Sequence, residues 1–239
     1  MTVDAAVRGV LFDATGTLIE ATAPVGEVYR RIALDHGVDL PAWRLDDAFR
    51  RVIARAPARG TLGESAAARR ESEVEWWFEV IRQTFQATDS TARFDDFRAF
   101  ARALFDAYRA REAWRLRPGV LLCLDRLERS GWPMAVVSNF DHRLPEILHL
   151  LDVDRFFESI EIPCDHGVAK PEAALFAAAS EALDLPFSRL AYVGDDPPER
   201  HRAVLELGFA RSLDVRATPD PAEWPARLGL VSGRPSPEP

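Results

Sequence analysis

From Pro118 onward, apolar residues alternate between two spacings. Short runs rich in β-branched and aromatic residues, at 134–139 (MAVVSN), 156–162 (FFESIEI), 190–195 (LAYVGD) and 209–213, read as strands. An isolated run of the same kind occupies 7–13. Between them, apolar positions recur every three or four residues and predict helices over 118–131, 144–151 and 172–183. Pro118 is expected at the first helical position and Gly131 at the stop. Strands and helices alternating in this way imply a parallel sheet with right-handed crossovers.

Residues 22–114 break that rhythm. They hold no convincing strand but four amphipathic stretches, at 25–35, 45–55, 72–85 and 94–112, with a small-residue loop expected to be mobile over 56–68. The expected architecture is α/β: a Rossmann-like parallel sheet flanked by helices, with an inserted all-helical cap. The core takes 1–21 and 115–230, the cap 22–114, and a frayed tail 231–239.

Length and charge restrict the partners. The 239 residues suffice for one large core plus an inserted module, and the formal charge of −8 argues against nucleic acid, which needs a clustered cationic face. No apolar stretch is long enough to span a membrane and no signal peptide is evident, so a cytoplasmic protein is expected. Cys123 and Cys164 fit no zinc spacing and read as free thiols. Oligomeric state is not legible. One count is sharper: of 30 cationic residues only Lys170 is a lysine.

Ligands of open α/β sheets bind beyond the strands' C-terminal ends. Four polar positions fall there or in the following loops: Asp13, Ser138-Asn139, Lys170 and Asp195-Asp196. Asp13 either caps the next turn or serves as a nucleophile toward phosphorus. The Ala14-Thr15-Gly16-Thr17 turn behind it suits an anion-binding nest of backbone amides. Ser138 offers a hydroxyl to a phosphoryl oxygen; Asn139 orients neighbours or caps the next helix. Lys170 can neutralise both carboxylate and phosphate, and Asp195 with Asp13 can hold Mg²⁺. Asp196 can orient the metal's water shell or Lys170, and an Asp-Asp turn is the structural alternative.

In order and spacing, FDATGTL, VVSN, AKPEAALF and YVGDD resemble the four motifs of the haloacid dehalogenase-like hydrolases, over nearly the whole chain. The cap after the first motif resembles that superfamily's subfamily I. The cap segment EWWFEVIRQTF is similar to one in the branch of haloacid dehalogenase-like hydrolase domain-containing proteins. The resemblance implies Mg²⁺-dependent phosphoryl transfer from a small phosphorylated metabolite through an aspartyl-phosphate on Asp13. It implies phosphate binding by Thr17, Ser138, Asn139 and Lys170. It implies metal binding by Asp13, Asp195, Asp196 and the Thr15 carbonyl.

The pattern is broken at two places. Phosphatases of this family carry an acid two residues after the nucleophile, where this chain has Thr15, a hydroxyl unsuited to general acid–base work. Turnover is therefore expected to be attenuated unless Glu20, Glu64 or Glu71 substitutes. A further family acid, five residues after Asp195, is Arg200 here, with Glu199 as a neighbouring substitute. The Asp-x-Thr-Gly-Thr pattern is also similar to that of P-type ATPases, whose aspartyl-phosphate persists between steps. Two other readings follow: a catalytically impaired phosphate-binding or interaction protein, and a metal-free 2-haloacid dehalogenase. Trp76, Trp77 and Phe78 are expected in the cap's core.

Overall fold

The computed structural model describes residues 7–57 and 59–230, and the 231–239 tail lies outside them. In chain order, β1 (Gly9–Phe12) and β2 (Ile19–Ala21) precede four helices: α1 (Val25–Asp35), α2 (Ala42–Ile53), α3 (Ala66–Thr88) and α4 (Phe97–Ala107). The chain returns through β3 (Trp114–Leu116) to α5 (Val120–Arg129), β4 (Met134–Val137), α6 (Leu144–Leu150), β5 (Ser159–Glu161) and α7 (Pro163–His166). It ends with α8 (Ala173–Ala182), β6 (Leu190–Gly194), α9 (Pro198–Glu206), β7 (Arg211–Asp214) and α10 (Trp224–Arg227).

The main sheet has the order β5-β4-β1-β6-β7, and every pairing is parallel. Its central strands are continuous apolar runs because helices cover both faces. Val10, Phe12, Val136 and Val193 pack with Leu124, Leu127 and Trp224 on one face. Leu11, Ala135, Val137 and Tyr192 pack with Leu175, Phe176 and Ala179 on the other. β1 lies between β4 and β6, so the loops after all three strands open at one edge.

Helices α1 to α4 bury a separate cluster containing Tyr29, Ile81, Phe85, Phe100 and Phe105. Phe94 stacks on Phe100 at 4.0 Å, and Phe85 meets Phe100 edge-on at 5.0 Å. The two strands that lead into and out of this helical unit form an antiparallel ribbon, Ile19 opposite Leu116 and Ala21 opposite Trp114. This ribbon is absent from the sequence expectation.

Several boundaries also move. Helix α5 starts at Val120, because Gly119 takes φ +86° and breaks the helical path from Pro118. The helix expected over 94–112 stops at Ala107, after which a short turn at Arg111–Ala113 feeds β3. Helix α3 runs longer at both ends than the apolar spacing predicts, its start capped by Ser65 Oγ accepting from Ala68 N at 3.2 Å. The 56–68 segment carries ties of its own: Trp76 Nε1 donates to the Pro57 carbonyl and Arg59 to that of Asn139. Among the described residues, no helix is long and apolar enough to cross a membrane.

Candidate active site

Strand β1 ends by handing its ladder to Asp13, whose amide donates to Val193 O at 2.8 Å. The next residues turn sharply: the amides of Thr17, Leu18 and Ile19 all converge on the Ala14 carbonyl. Arg117 braces the turn, Nη1 donating to Gly16 O at 2.8 Å. Gly16 sits at φ +80°, and a Cβ there would lie 2.0 Å from Asp195 Oδ2. The carboxylate after β6 therefore rests on the backbone of the loop after β1. Gly16→Ala is expected to cost about 1–2 kcal/mol for the left-handed backbone alone. It also displaces Asp195, so kcat/KM should fall at least roughly tenfold, the scale of a misplaced reacting group. Denaturant unfolding and steady-state rates check the two effects separately.

The buried charges form one connected group. Lys170 Nζ lies 3.0 Å from Asp13 Oδ1 and 3.2 Å from Asp196 Oδ2, and donates to Tyr192 Oη at 2.7 Å. Tyr192 in turn donates to Asp196 Oδ2, and Arg200 Nη1 holds Asp196 Oδ1 at 2.6 Å. Both oxygens of Asp196 are thus committed to neighbours, which makes it an anchor for Lys170 rather than an open metal ligand. Burial opposes its ionisation, yet Lys170, Tyr192 and Arg200 hold its carboxyl below the ordinary value. Burial and the Asp13 and Asp196 carboxylates push the Tyr192 phenol well above its own, so it stays a donor.

Asp195 differs. Burial, then Asp13 and Asp196, raise its carboxyl to about 6, with Lys170 offsetting part of the effect. This is the behaviour of a carboxylate that is partly withdrawn from water and set beside two others.

Ser138 follows β4 and is buried; its Oγ accepts from Phe140 N at 3.3 Å, which leaves the O–H as a donor. Asn139 clasps the Lys170 backbone, Oδ1 accepting from Lys170 N at 2.7 Å and Nδ2 donating to Lys170 O at 3.1 Å. Its amide is spent on positioning the lysine. Thr17 is fully buried, and its Oγ1 has no protein partner. Thr15 is exposed at the mouth of a cavity of about 300 Å³ between the core and the helical unit.

A family model described as haloacid dehalogenase-like hydrolase matches residues 7–199. The chain belongs to this family. A relative, the haloacid dehalogenase-like hydrolase domain-containing protein 3 of Xenopus laevis, is 29% identical over 218 residues, covering 91% of this chain and 88% of its own. The fold resembles that of a phosphatase from Thermococcus onnurineus, with a TM-score of 0.60, 16% identity and coverage of 96% and 100%. It also resembles the L-2-haloacid dehalogenase of Xanthobacter autotrophicus with chloropropionic acid covalently bound, at 0.63, 17%, and 92% and 83%.

For a haloacid dehalogenase-like hydrolase, the candidate acids are placed unhelpfully. Glu20 pairs with Arg115 at 2.8 Å on the ribbon, and Glu199 points to solvent near Arg202. Glu64 and Glu71 are exposed, and none of these four lines the cavity. The cap aromatics divide their tasks. Phe78 enters the helical core, whereas Trp77 lines the cavity and donates to Asp141 Oδ2 at 2.7 Å. Arg143 forks onto Asp141 at 2.8 and 2.7 Å. Burial opposes ionisation of Asp141, but Arg143 and Arg59 hold its carboxyl far below the usual range.

Sequence reasoning missed Tyr192, Arg117 and Arg59. Tyr192 reads as one apolar strand residue among several. The two arginines were hidden among many others by the chain's composition.

Proposed function

We propose that this hydrolase transfers a phosphoryl group from a small phosphomonoester to Asp13 and then to water. The observation that carries the reading is the Asp13 carboxylate, buried at a strand tip and held 3.0 Å from the chain's one lysine. Attack on phosphorus forms an Asp13 acyl-phosphate bond and breaks the ester P–O bond. Lys170 offsets charge on the phosphoryl oxygens as it develops, and the Ser138 O–H is suited to hold the same group. The amides of Ala14, Gly16 and Thr17, expected to form an anion nest, are instead spent on Asp13 Oδ1, Ile19 O and Ala14 O.

Mg²⁺ fits the residues present. Among the described residues, no group of three or more His, Cys, Asp or Glu side chains is gathered to hold a metal. A hard cation that keeps several waters needs fewer. The Asp13 and Asp195 carboxylates and the Thr15 carbonyl would hold it, and its charge would offset the repulsion from Asp13 and Asp196 that adds to the effect of burial on Asp195. When bound, the ion supplies further neutralisation of the phosphoryl oxygens.

Hydrolysis of phenyl phosphate is expected with Mg²⁺ and is expected to disappear with a chelator. Binding can be read without turnover. At pH 7.5 Asp195 is ionised and at pH 5 mostly protonated, given its value of about 6. A proton must therefore be lost for the metal to bind at the lower pH, and Mg²⁺ should raise the melting temperature more at pH 7.5 than at pH 5. Equal shifts at the two pH values would detach Asp195 from the metal site. Chelator-resistant halide release from a 2-haloacid would favour the dehalogenase reading, which uses Asp13 as nucleophile but has no task for an acid such as Asp195 beside it. Phosphate and Mg²⁺ binding with no hydrolysis of any ester would favour the binding protein.

A further inference from the structure

The cavity that opens at Thr15 is unusual in what it lacks. Val25, Phe49, Trp77, Leu104, Trp114 and Phe140 are among the apolar side chains that make up most of its lining. None of the described residues lining it is a carboxylic acid or a histidine. The cavity that Thr15, two residues from Asp13, helps to line thus holds no carboxylic acid or imidazole able to give a leaving group a proton at neutral pH. Tyr29 and Tyr108 line it, but burial pushes both phenols upward.

Two residues that line the cavity carry buried polar atoms with no partner, Arg59 Nε and Tyr108 Oη. The Arg59 guanidinium lies over the rings of Trp77, Trp76 and Phe140 at 4.9, 5.2 and 5.7 Å, and Nη2 donates to Asn139 O at 3.0 Å. Among the described residues, no carboxylate forms an ion pair with it. Of the two acids that act on it through space, Asp141 is engaged by Arg143 and Trp77, and Glu73 Oε2 by His142 N and Nδ1 at 3.0 and 2.7 Å. Glu73 Oε1 is buried without a partner of its own and within no ion-pair distance of Arg59. A buried guanidinium with an idle N–H is costly unless something accepts from it. Two donors and no acid, set in an aromatic wall, describe the complement of an apolar ring with an anionic edge.

We infer that the substrate is a phosphate ester of an aromatic alcohol, a phenol carrying a carboxylate, whose oxygen departs as a stable anion while Arg59 and Tyr108 hold the carboxylate. This rests on the phosphoryl-transfer reading above and narrows it. The electron pair of the breaking P–O bond leaves on the phenolate, so no proton is required at Thr15. Water then attacks phosphorus, restores the Asp13 carboxylate, and leaves with both its hydrogens on dihydrogen phosphate. A volume of about 300 Å³ admits one substituted ring and is at the lower limit of ligand pockets.

The full-length protein supplies two tests. Across phenyl phosphates of rising phenol basicity, kcat/KM is expected to fall roughly tenfold per unit of phenol pKa, with glycerol phosphate at least about 10²-fold below phenyl phosphate, the scale of an absent general acid. Thr15→Asp should flatten that series. A flat series in the unaltered protein overturns the leaving-group assignment.

The anion assignment is read by binding alone, in the Asp13→Asn protein. 4-Carboxybenzylphosphonate is expected to bind about tenfold more tightly than benzylphosphonate, a difference of one charge-assisted contact. Arg59→Met should reduce the ratio to below about twofold, and Tyr108→Phe, which keeps the ring and the packing, should reduce it in part. Equal binding of the two phosphonates overturns the proposal. Arg59-dependent preference without hydrolysis of any ester by the unaltered protein would keep the pocket assignment and remove the phosphatase reading.

Discussion

Asp13→Asn is expected to lower kcat by about 10⁴-fold or more, the loss seen when a nucleophile is replaced by an isostere. The geometry makes this substitution clean. The amide oxygen of asparagine can still accept from Ala14 N, as Asp13 Oδ1 does at 2.8 Å. It can also accept from Lys170 Nζ, now 3.0 Å from the same atom. Only the negative charge and the nucleophilic oxygen are lost. Asp13 is one of the carboxylates that raise Asp195, so the change also relieves repulsion within the group. The melting temperature should therefore stay level or rise while the rate collapses. That opposite movement separates a lost nucleophile from a damaged fold. A rate within tenfold of the original would transfer the chemistry to another residue.

How far the sequence carried can be judged from particular elements. The three central strands β1, β4 and β6 were legible because each is a short apolar run buried on both faces. The half-buried edge strands β5 and β7 are shorter than, or offset from, the runs at 156–162 and 209–213 that predict them. The β2–β3 ribbon was not. Its strands have three residues each and pair partners about a hundred positions apart, so no local pattern announces them. Backbone conformation misplaced the start of α5, since Gly119 looked like a helical residue and instead breaks the path.

The site divides in the same way. That Asp13, Lys170 and Asp195 share one charged cluster was legible because strand ends and one solitary lysine are visible in a line of letters. The division of labour between adjacent acids was not. Asp195 and Asp196 differ by one position, yet one rests against Gly16 and the other is captured by Lys170, Tyr192 and Arg200. Only the direction in which each side chain leaves the strand decides this. Tyr192 belongs to the same lesson: its ring packs on Phe176 beneath the sheet while its hydroxyl reaches the buried lysine. Arg59 was invisible for another reason. Its loop reads as small and polar, and what gives it meaning is the aromatic stack of Trp76, Trp77 and Phe140 contributed by two distant segments.

Lys170→Met should be the most damaging change outside the nucleophile itself. The methionine matches the lysine stem in length, so packing is largely preserved and the loss is that of the ammonium. Its side chain is 1% exposed, against 10% for Asp13 and 6% for Asp196, so solvent cannot replace the missing charge. Removing one partner from a buried ion pair costs about 3–5 kcal/mol, because the remaining charge is left uncompensated. Here Arg200 and Tyr192 still hold Asp196, which places the expected loss at the lower end of that range. Asp195 reports on the same event. Lys170 is the cation that offsets its rise above the ordinary carboxyl range, so without it the group titrates higher still. An acid with a raised folded value is favoured when protonated. The variant's deficit should therefore be smallest near pH 4 and grow as pH rises through and beyond 6, where Asp195 must ionise. Catalysis should fall by about 10²–10³-fold, the effect of deleting one preorganised group from a site of developing charge. Unfolding measured at pH 4.5 and pH 7.5, alongside the steady-state rate, tests the account. A deficit independent of pH would mean that Lys170 stabilises the fold by packing and not by balancing the acids around it.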